Sequence, residues 1–485
     1  MVPSFGLRAV RSRTPWIFLL LFLTYAGFFQ ASTWGAACRL DLARALFERG
    51  TLSIDAYHRN TGDKALVDGH YYSDKAPLPS FLAVPGVALA HAIRALTGKP
   101  VSNAVWLAMM GGLAAAWASG LVTALGGVFF YRILREREMT EGAAALATLF
   151  VFLGTTLFPY ATVLQQHAPA AAWLVVFFWG VFPGKREPSF RRAAVAGVAA
   201  SAALATEYLT GPPLVVLGVV ALARQRAAAG GLLGALVLGA LPGLVLLGWY
   251  HDAAFGSPFS LGYQHVALPF FREKMAGGFF GIGVPDPLVA VRLLCGAYRG
   301  LFFACPVLLA AIGGLVLLLR DRARRTETLA ALFVPLFYWL LSAGYSTWSG
   351  GWAIGPRHLV AGIPFLGLGL GVALMRWRRV VIVLGALSVF LMLATTSVQP
   401  EVPEDIGNPL FEYVLPNFLR GEFSVGEQSF ADYEPQRLDP AEPDRWDAFL
   451  IGEALRLPGL LALLPVLLVW GVLGSRLWTN EIRRA

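Results

Sequence analysis

The sequence predicts an all-α polytopic membrane protein, built as a single membrane-embedded domain over residues 1–485. Three observations predict it. Of the 485 residues, 56% are hydrophobic and only 14% are charged, whereas a soluble domain carries roughly 25% charged residues. Apolar runs recur along the chain, most of them near the length of about 18 residues that a helix needs to cross a bilayer. Lys and Arg gather in short clusters between those runs, as cytoplasmic loops do. The net charge of +9 is therefore assigned to membrane orientation, and no nucleic-acid partner is expected.

The first apolar run, 15–34, follows Arg8, Arg11 and Arg13. At about 20 residues it is long for a signal-peptide core. "GAAC" before Leu40 places Gly35 where a lipoprotein site has a large aliphatic residue. An uncleaved first span is expected. Further spans are expected at 103–132, 141–158, 168–183, 192–206, 210–224, 230–250, 299–320, 328–345, 358–375, 379–396 and 456–474.

A thirteenth stretch, 78–97, is decided by charge. If it does not cross, the N-terminal arginines, "RILRERE" (132–138), "GKREPSFRR" (184–192), "RQR" (224–226), "RDRARR" (320–325), "RWRR" (376–379) and the terminal "EIRRA" all share one side. If it crosses, every cluster after it moves away from the N-terminus. The positive-inside rule favours twelve spans with both termini cytoplasmic. Segment 78–97 then enters and returns or lies along the outer interface, and His91 and Arg94 favour an interfacial, juxtamembrane helix of the outer face.

This topology collects the long polar segments outside: a first loop, 35–102, a second, 251–298, and a third, 397–455, with thirteen Asp or Glu. The third is read either as a binding loop or as a solvated surface. In the first, "RLDLARALFERG" puts Leu40, Ala43, Leu46 and Phe47 on one helical face, with Gly50 as a stop. A short amphipathic helix on the outer leaflet is expected, carrying Arg39 and Asp41. Asp55, Asp63, Asp68 and Asp74 follow, interleaved with His58, His70, Lys64 and Lys75.

Other polar groups reach the same depth. "QQHAP" supplies His167, and "ATEYLTGPP" sets Glu207 and Tyr208 at the end of an apolar run, where an ionisable residue marks a functional site. "YSTWSGGWAIGPRHL" joins Trp352 and a glycine turn to Arg357 and His358. Arg357 either snorkels to lipid phosphate or holds a phosphate with its guanidinium fork. "WYHDAAFGSPFSLGYQHV" adds Tyr263 among aromatic residues that suit either an interfacial belt or a sugar pocket. Cys38, Cys295 and Cys305 show no metal-ligand spacing; a Cys38–Cys295 disulfide and three free thiols both remain open. His58, Asp63, His70 and Asp74 match no known ligand pattern, so no metal is required, although a divalent cation there is a minor alternative.

The order of "CRLDLARAL", "DGHYYSDKAP", "QQHAP", "ATEY", "FGSPFSLGY" and "WSGGWAIGPRH" resembles the GT-C superfamily of polyprenyl-phosphate-sugar-dependent glycosyltransferases. Within it the chain is similar to the branch of protein mannosyltransferases and lipid A aminoarabinose transferases, and to bacterial members whose acceptors are unassigned. The resemblance implies a GT-C-like fold in a bacterial inner membrane, with the active site on the periplasmic or extracellular face. It implies an inverting glycosyltransferase that takes a sugar from a polyprenyl-phosphate donor to a lipid, glycan or protein acceptor, with no cofactor. In the family an Asp just after the first span is the base. "TWGAAC" has no acid, so Asp41 is the substitute, with Asp55, Asp63 and Asp74 as rivals. Lys75 of "DKAP" matches the family's phosphate-binding Lys; Arg357, Arg39 and His358 join it as carrier-phosphate ligands. Tyr71, Tyr72, His167, Glu207, Tyr208, Tyr263 and Trp352 are expected to bind substrate. A transporter or flippase for lipid-linked sugars, or a non-catalytic envelope assembly protein, are the alternatives. The first would place charge near the bilayer midplane, whereas here polar residues gather on one side.

Overall fold

The computed structural model describes residues 13–30, 33–98, 103–184, 189–426 and 448–482. Arg8, Arg11, the centre of the 184–192 basic cluster, the end of the C-terminal cluster and residues 427–447 of the third outer loop lie outside the described residues. The chain is a helical membrane protein. Among the described residues seven helices are long and apolar enough to cross a membrane, and five shorter apolar helices accompany them.

The first apolar run does not form one span-length helix. It is helical over Thr14–Tyr25 and then turns at Ala26 and Gly27. Phe28–Phe29 leaves the helix to pair antiparallel with Phe449–Leu450, and Phe29 stacks on Phe449 with ring centroids 4.5 Å apart. This pairing fastens the two ends of the chain together. Gly27 lies against the Val466 side chain, a contact a larger residue would strain.

The segment Val105–Glu136 runs as 32 helical residues. At about 1.5 Å per residue it is about 48 Å long, well beyond the roughly 30 Å of a hydrocarbon core. Its two halves have different partners. The C-terminal half packs Gly127 on Leu21 and Gly126 on Ala172, inside the bundle. The N-terminal half pairs with the helix Leu78–Thr97: Gly86 lies on the backbone of Leu113 and Ala114, and Arg94 covers the Trp106 ring at 4.7 Å. Gly120 sits beside Tyr25, the last residue of the first helix. The hairpin made by Leu78–Thr97 and its partner therefore stands beyond the level where the first helix ends. By length and composition Leu78–Thr97 suffices to cross a membrane, and it packs on the helix Trp34–Arg44 and on the N-terminal half of Val105–Glu136.

The two ends of the bundle differ in charge. At one end, buried or half-buried ion pairs close the helix termini: Arg13 with Glu141 at 3.3 Å, Arg192 with Glu136 at 2.7 Å, and Arg137 with Glu327. Each pairs an arginine with one acid, and together they tie five helices. The opposite end holds the polar chamber described below. Between them, small residues bring helices into backbone contact, as membrane helix interfaces favour. Gly314 of Val307–Arg320 and Gly369 of Ile363–Arg376 touch through their backbones.

The helix around Asp41 differs from the expected leaflet-bound one. It spans Trp34–Arg44, continues as a π-turn over Ala45–Arg49, and stops at Gly50 in the left-handed conformation. Every residue from Gly35 to Ala43 is buried. Its apolar face meets Ala83 and Val87 of the helix Leu78–Thr97, and its polar face meets protein as well.

All three cysteines are free, with Cys38 and Cys305 buried and Cys295 exposed, so no Cys38–Cys295 disulfide forms. A thiol-reactive maleimide is expected to place a single label on the folded protein, at Cys295, and three after denaturation. Labelling of Cys38 in the folded state would show that the first-loop helix opens.

Candidate active site

The hairpin Lys64–Val67 and His70–Ser73 follows the first-loop helix. Its two-residue turn, Asp68-Gly69, has φ of 49° and 84°, the geometry that Asp-Gly adopts between right-twisted strands. The second strand delivers Ser73, Asp74 and Lys75 to the chamber. There the Lys75 ammonium lies 3.2 Å from Asp63 and 3.1 Å from Asp74. Cys38 Sγ is 2.8 Å from Ser73 Oγ and 3.8 Å from Asp74. Residues 262–267 close over this triad. Ala267 N–H donates to Lys64 O at 2.9 Å, and Gly262 lies on the Asp74 backbone with no room for a Cβ. Tyr263 is thereby set over Lys75 at 5.3 Å.

Burial raises Asp74 above the ordinary carboxylate range, with Lys75 pulling it back. Burial alone would lower Lys75, but Asp63 and Asp74 outweigh it and hold the ammonium well above its usual value. Lys75 is thus a firmly charged cation already matched by two acids.

A second network starts at Arg39, which is 1% exposed. Its guanidinium donates to Gly35 O at 2.5 Å, Gln165 Oε1 at 3.2 Å and Gln166 Oε1 at 2.5 Å. Gln165 passes the network on, donating through Nε2 to Glu401 Oε1 at 3.1 Å. Thr33 Oγ1 donates to the same oxygen at 3.0 Å. On the other side Gln166 reaches Glu207, whose carboxyl is raised by burial, against the pull of Gln166 and Arg39. Glu207 also accepts from Leu209 N–H at 3.5 Å, capping the turn that opens the next helix. Tyr208 follows; its hydroxyl is 2.8 Å from His251 Nε2. Because His251 Nδ1 faces the Pro258 carbonyl at 3.2 Å, that nitrogen donates and Nε2 accepts the Tyr208 proton.

The third wall is the glycine turn. Gly350 and Gly351 have φ of 77° and 64°, which glycine adopts without strain. Arg299, 1% exposed, donates to Ser349 O at 3.0 Å and Gly351 O at 2.8 Å and so fixes the turn. Arg357 packs along Gly350. It forms no hydrogen bond or ion pair with any described residue, and its Nε is buried. Arg299 likewise meets carbonyls and the Tyr298 hydroxyl but no carboxylate among the described residues. Rings continue this wall: Tyr160 on His167 at 5.4 Å, His167 on His358 at 5.7 Å, and His358 on Tyr345 at 5.3 Å.

One chamber therefore gathers Arg39, Asp63, Asp74, Lys75, His167, Glu207, Tyr208, Tyr263, Arg357 and His358. Asp41 stands behind it, 0% exposed, with Asn60 Nδ2 donating to Oδ1 at 3.1 Å. Trp352 is half-buried on the glycine turn. Asp55, Tyr71 and Tyr72 lie elsewhere. Asp55 is exposed and takes the Tyr71 N–H at 2.6 Å and His70 at 2.7 Å, which braces the hairpin. Tyr71 stacks on His58 at 4.2 Å. His58, Asp63, His70 and Asp74 do not converge, and no group of three or more His, Cys, Asp or Glu among the described residues is arranged to hold a metal. Sequence reasoning misses four residues here: Gln165 and Gln166 lie within the "QQHAP" motif but are passed over for His167, and Arg299 and Glu401 stand in no motif.

No protein-family model matches the chain, and no curated protein matches it. Among solved structures it is similar to ArnT from Cupriavidus metallidurans bound to undecaprenyl phosphate, with 15% identity and a TM-score of 0.49, covering 79% of this chain and 63% of that one. It is also similar to the archaeal oligosaccharyltransferase AglB from Archaeoglobus fulgidus in complex with an inhibitory peptide and a dolichol-phosphate. There the identity is 12% and the TM-score 0.42, covering 89% of this chain and 61% of that one. The chain spans less than two thirds of the length of either structure.

Proposed function

We propose that this protein transfers a sugar from a polyprenyl-monophosphate carrier to an envelope acceptor, with inversion, at the outer face of a bacterial inner membrane. The observation that carries the reading is Arg357: a guanidinium with no hydrogen bond or ion pair to a carboxylate among the described residues, beside Arg299, whose guanidinium is held by carbonyls. A phosphate monoester supplies the missing charge and fits the planar fork. As the glycosidic bond to phosphate breaks, charge grows on the leaving oxygen, and a fixed cation there lowers the barrier. Lys75, held between Asp63 and Asp74, is matched by their charge and orders the neighbouring wall. Tyr263, Tyr208 and Glu207 offer an aromatic and hydrogen-bonding surface of the kind that sugars meet. His358 and His167 line the Arg357 side.

Inversion needs one carboxylate to take the acceptor's proton. Asp41 is enclosed and held by Asn60, while Asp63 and Asp74 are neutralised on Lys75. Glu207 and Glu401 are the remaining chamber carboxylates. A transporter would distribute charge near the middle of its spans. Here matched ion pairs sit at one end of the bundle and the chamber at the other, which supports one-sided chemistry.

The test is mass spectrometry of envelope glycans and lipid-linked sugars in cells with and without the protein, paired with transfer from a panel of synthetic polyprenyl-phosphate sugars in liposomes. Loss of one glycan sugar with build-up of its carrier form is expected. Movement of a lipid-linked sugar across the bilayer with no new glycosidic bond would favour the transporter instead.

A further inference from the structure

We propose that Glu401 is the catalytic base of this chamber, taking the acceptor's hydroxyl proton on its Oε2 atom. The proposal rests on the glycosyl-transfer reading and assigns a group that reading leaves open. Glu401 follows directly on the helix Arg378–Val398, and the backbone around it is clamped. Gln399 Nε2 donates to Glu401 O at 2.9 Å, Tyr413 OH donates to Gln399 Oε1 at 2.7 Å, and Ala353 N–H donates to Val402 O at 2.9 Å. The last bond ties Glu401 to the turn that carries Arg357.

The carboxylate is 3% exposed, and its two oxygens are treated differently. Oε1 receives Thr33 and Gln165, which fix its orientation. Oε2 is buried and meets no donor among the described residues. A base requires this division: one oxygen held, the other open to the proton it removes. Glu207 is held differently, by Leu209 N–H and Gln166 at the head of the following turn. The charged groups that act on Glu401 are Arg357 from the glycine turn and Arg39 from the first-loop helix. Burial raises the Glu401 carboxyl to about 7, against the pull of Arg357, Thr33, Gln165 and Arg39. A base poised near the working pH is both ionised and able to hold a proton. A cavity of about 10 Å³, lined by Gln30, Thr33, Gln399, Pro400 and Glu401 among others, adjoins it. That is on the scale of a single water, enough to carry the proton away after each turnover.

In the step, the acceptor oxygen bonds to the anomeric carbon as the bond from that carbon to the phosphate oxygen breaks. The acceptor's proton passes to Glu401 Oε2, and the carrier leaves as its monophosphate with the bonding pair.

The experiment uses the full protein in liposomes with a donor that the wild type turns over. The wild-type kcat/KM is expected to rise with pH through about 7, because Glu401 must be ionised. Glu401→Gln should lower it by about 10²- to 10⁴-fold and abolish the rise, with carrier affinity within about twofold of wild type, and Glu401→Asp should restore part of the limb. Thr33→Val, which removes a donor favouring the ionised form, should move the limb to higher pH; it carries the test if Glu401→Gln fails to fold. Asp41→Asn should keep the limb. An unchanged profile in Glu401→Gln, or an unmoved limb in Thr33→Val, overturns the assignment and leaves the transferase reading standing. A wild type that transfers no sugar overturns both.

Discussion

Arg357→Ala is expected to lower sugar transfer by about 10²- to 10³-fold, the loss seen when one fixed donor to a developing negative charge is removed. Two features of the site make the effect large. Arg357 makes no hydrogen bond or ion pair with a described acid, and Glu401 feels it only through its field, so its guanidinium fork is open to a bound phosphate. Arg299 cannot move in to replace it, because its guanidinium is spent on the Ser349 and Gly351 carbonyls and the neighbouring Tyr298. Stability should change little, since no described residue loses a hydrogen bond. Arg357→Lys keeps the charge but loses the planar fork and should recover only part of the activity. The readouts are transfer rate and binding of a polyprenyl monophosphate without sugar. If Arg357→Ala leaves carrier binding at wild-type strength, the arginine is a lipid-facing anchor and the phosphate lies elsewhere.

How far the sequence reaches can be judged residue by residue. Apolar runs and basic clusters display the helices because burial in a bilayer leaves a period and a length that are local. The run 15–34 misleads because what breaks its helix, the pairing of Phe28–Phe29 with Phe449–Leu450, comes from the far end of the chain. The pattern of Leu40, Ala43, Leu46 and Phe47 locates a helix, but periodicity reports where apolar groups are and not what the polar face meets. Arg39 and Asp41 face Gln165, Gln166 and Asn60 instead of water. The Asp68-Gly69 hairpin was missed although Asp-Gly is a turn signal, because its first strand opens on Lys64 and Ala65, which strands disfavour. Glu401 was not legible. It is one of thirteen acids in its loop, and its partners Thr33 and Gln165 lie 368 and 236 residues away. The "DKAP" motif pointed to Lys75 as a free phosphate ligand, and the fold gives it Asp63 and Asp74 as partners.

That pairing sets the second large effect. Lys75→Met is expected to destabilise the protein by about 3–5 kcal/mol, the cost of leaving a buried ion pair broken. Asp74 is 3% exposed and Asp63 only 19% by side chain, so neither can turn to water without opening the hairpin. The same change should weaken carrier binding less than Arg357→Ala does, because the charge of Lys75 is matched by Asp63 and Asp74 and its ammonium is not open to direct contact. Removing the stranded charges should reverse the loss: Lys75→Met combined with Asp63→Asn and Asp74→Asn should recover most of the melting temperature in detergent. The sign of the pH effect follows from the shift. Lys75 is held above its unfolded value, so its contribution is fully present below that value, 10.5, and fades only as pH rises through the higher folded one. Thermal stability near neutral pH should therefore not track Lys75, while transfer tracks Glu401. A Lys75→Met protein that melts like wild type but no longer binds carrier would reverse the two roles, making the triad a phosphate site and Arg357 a bystander.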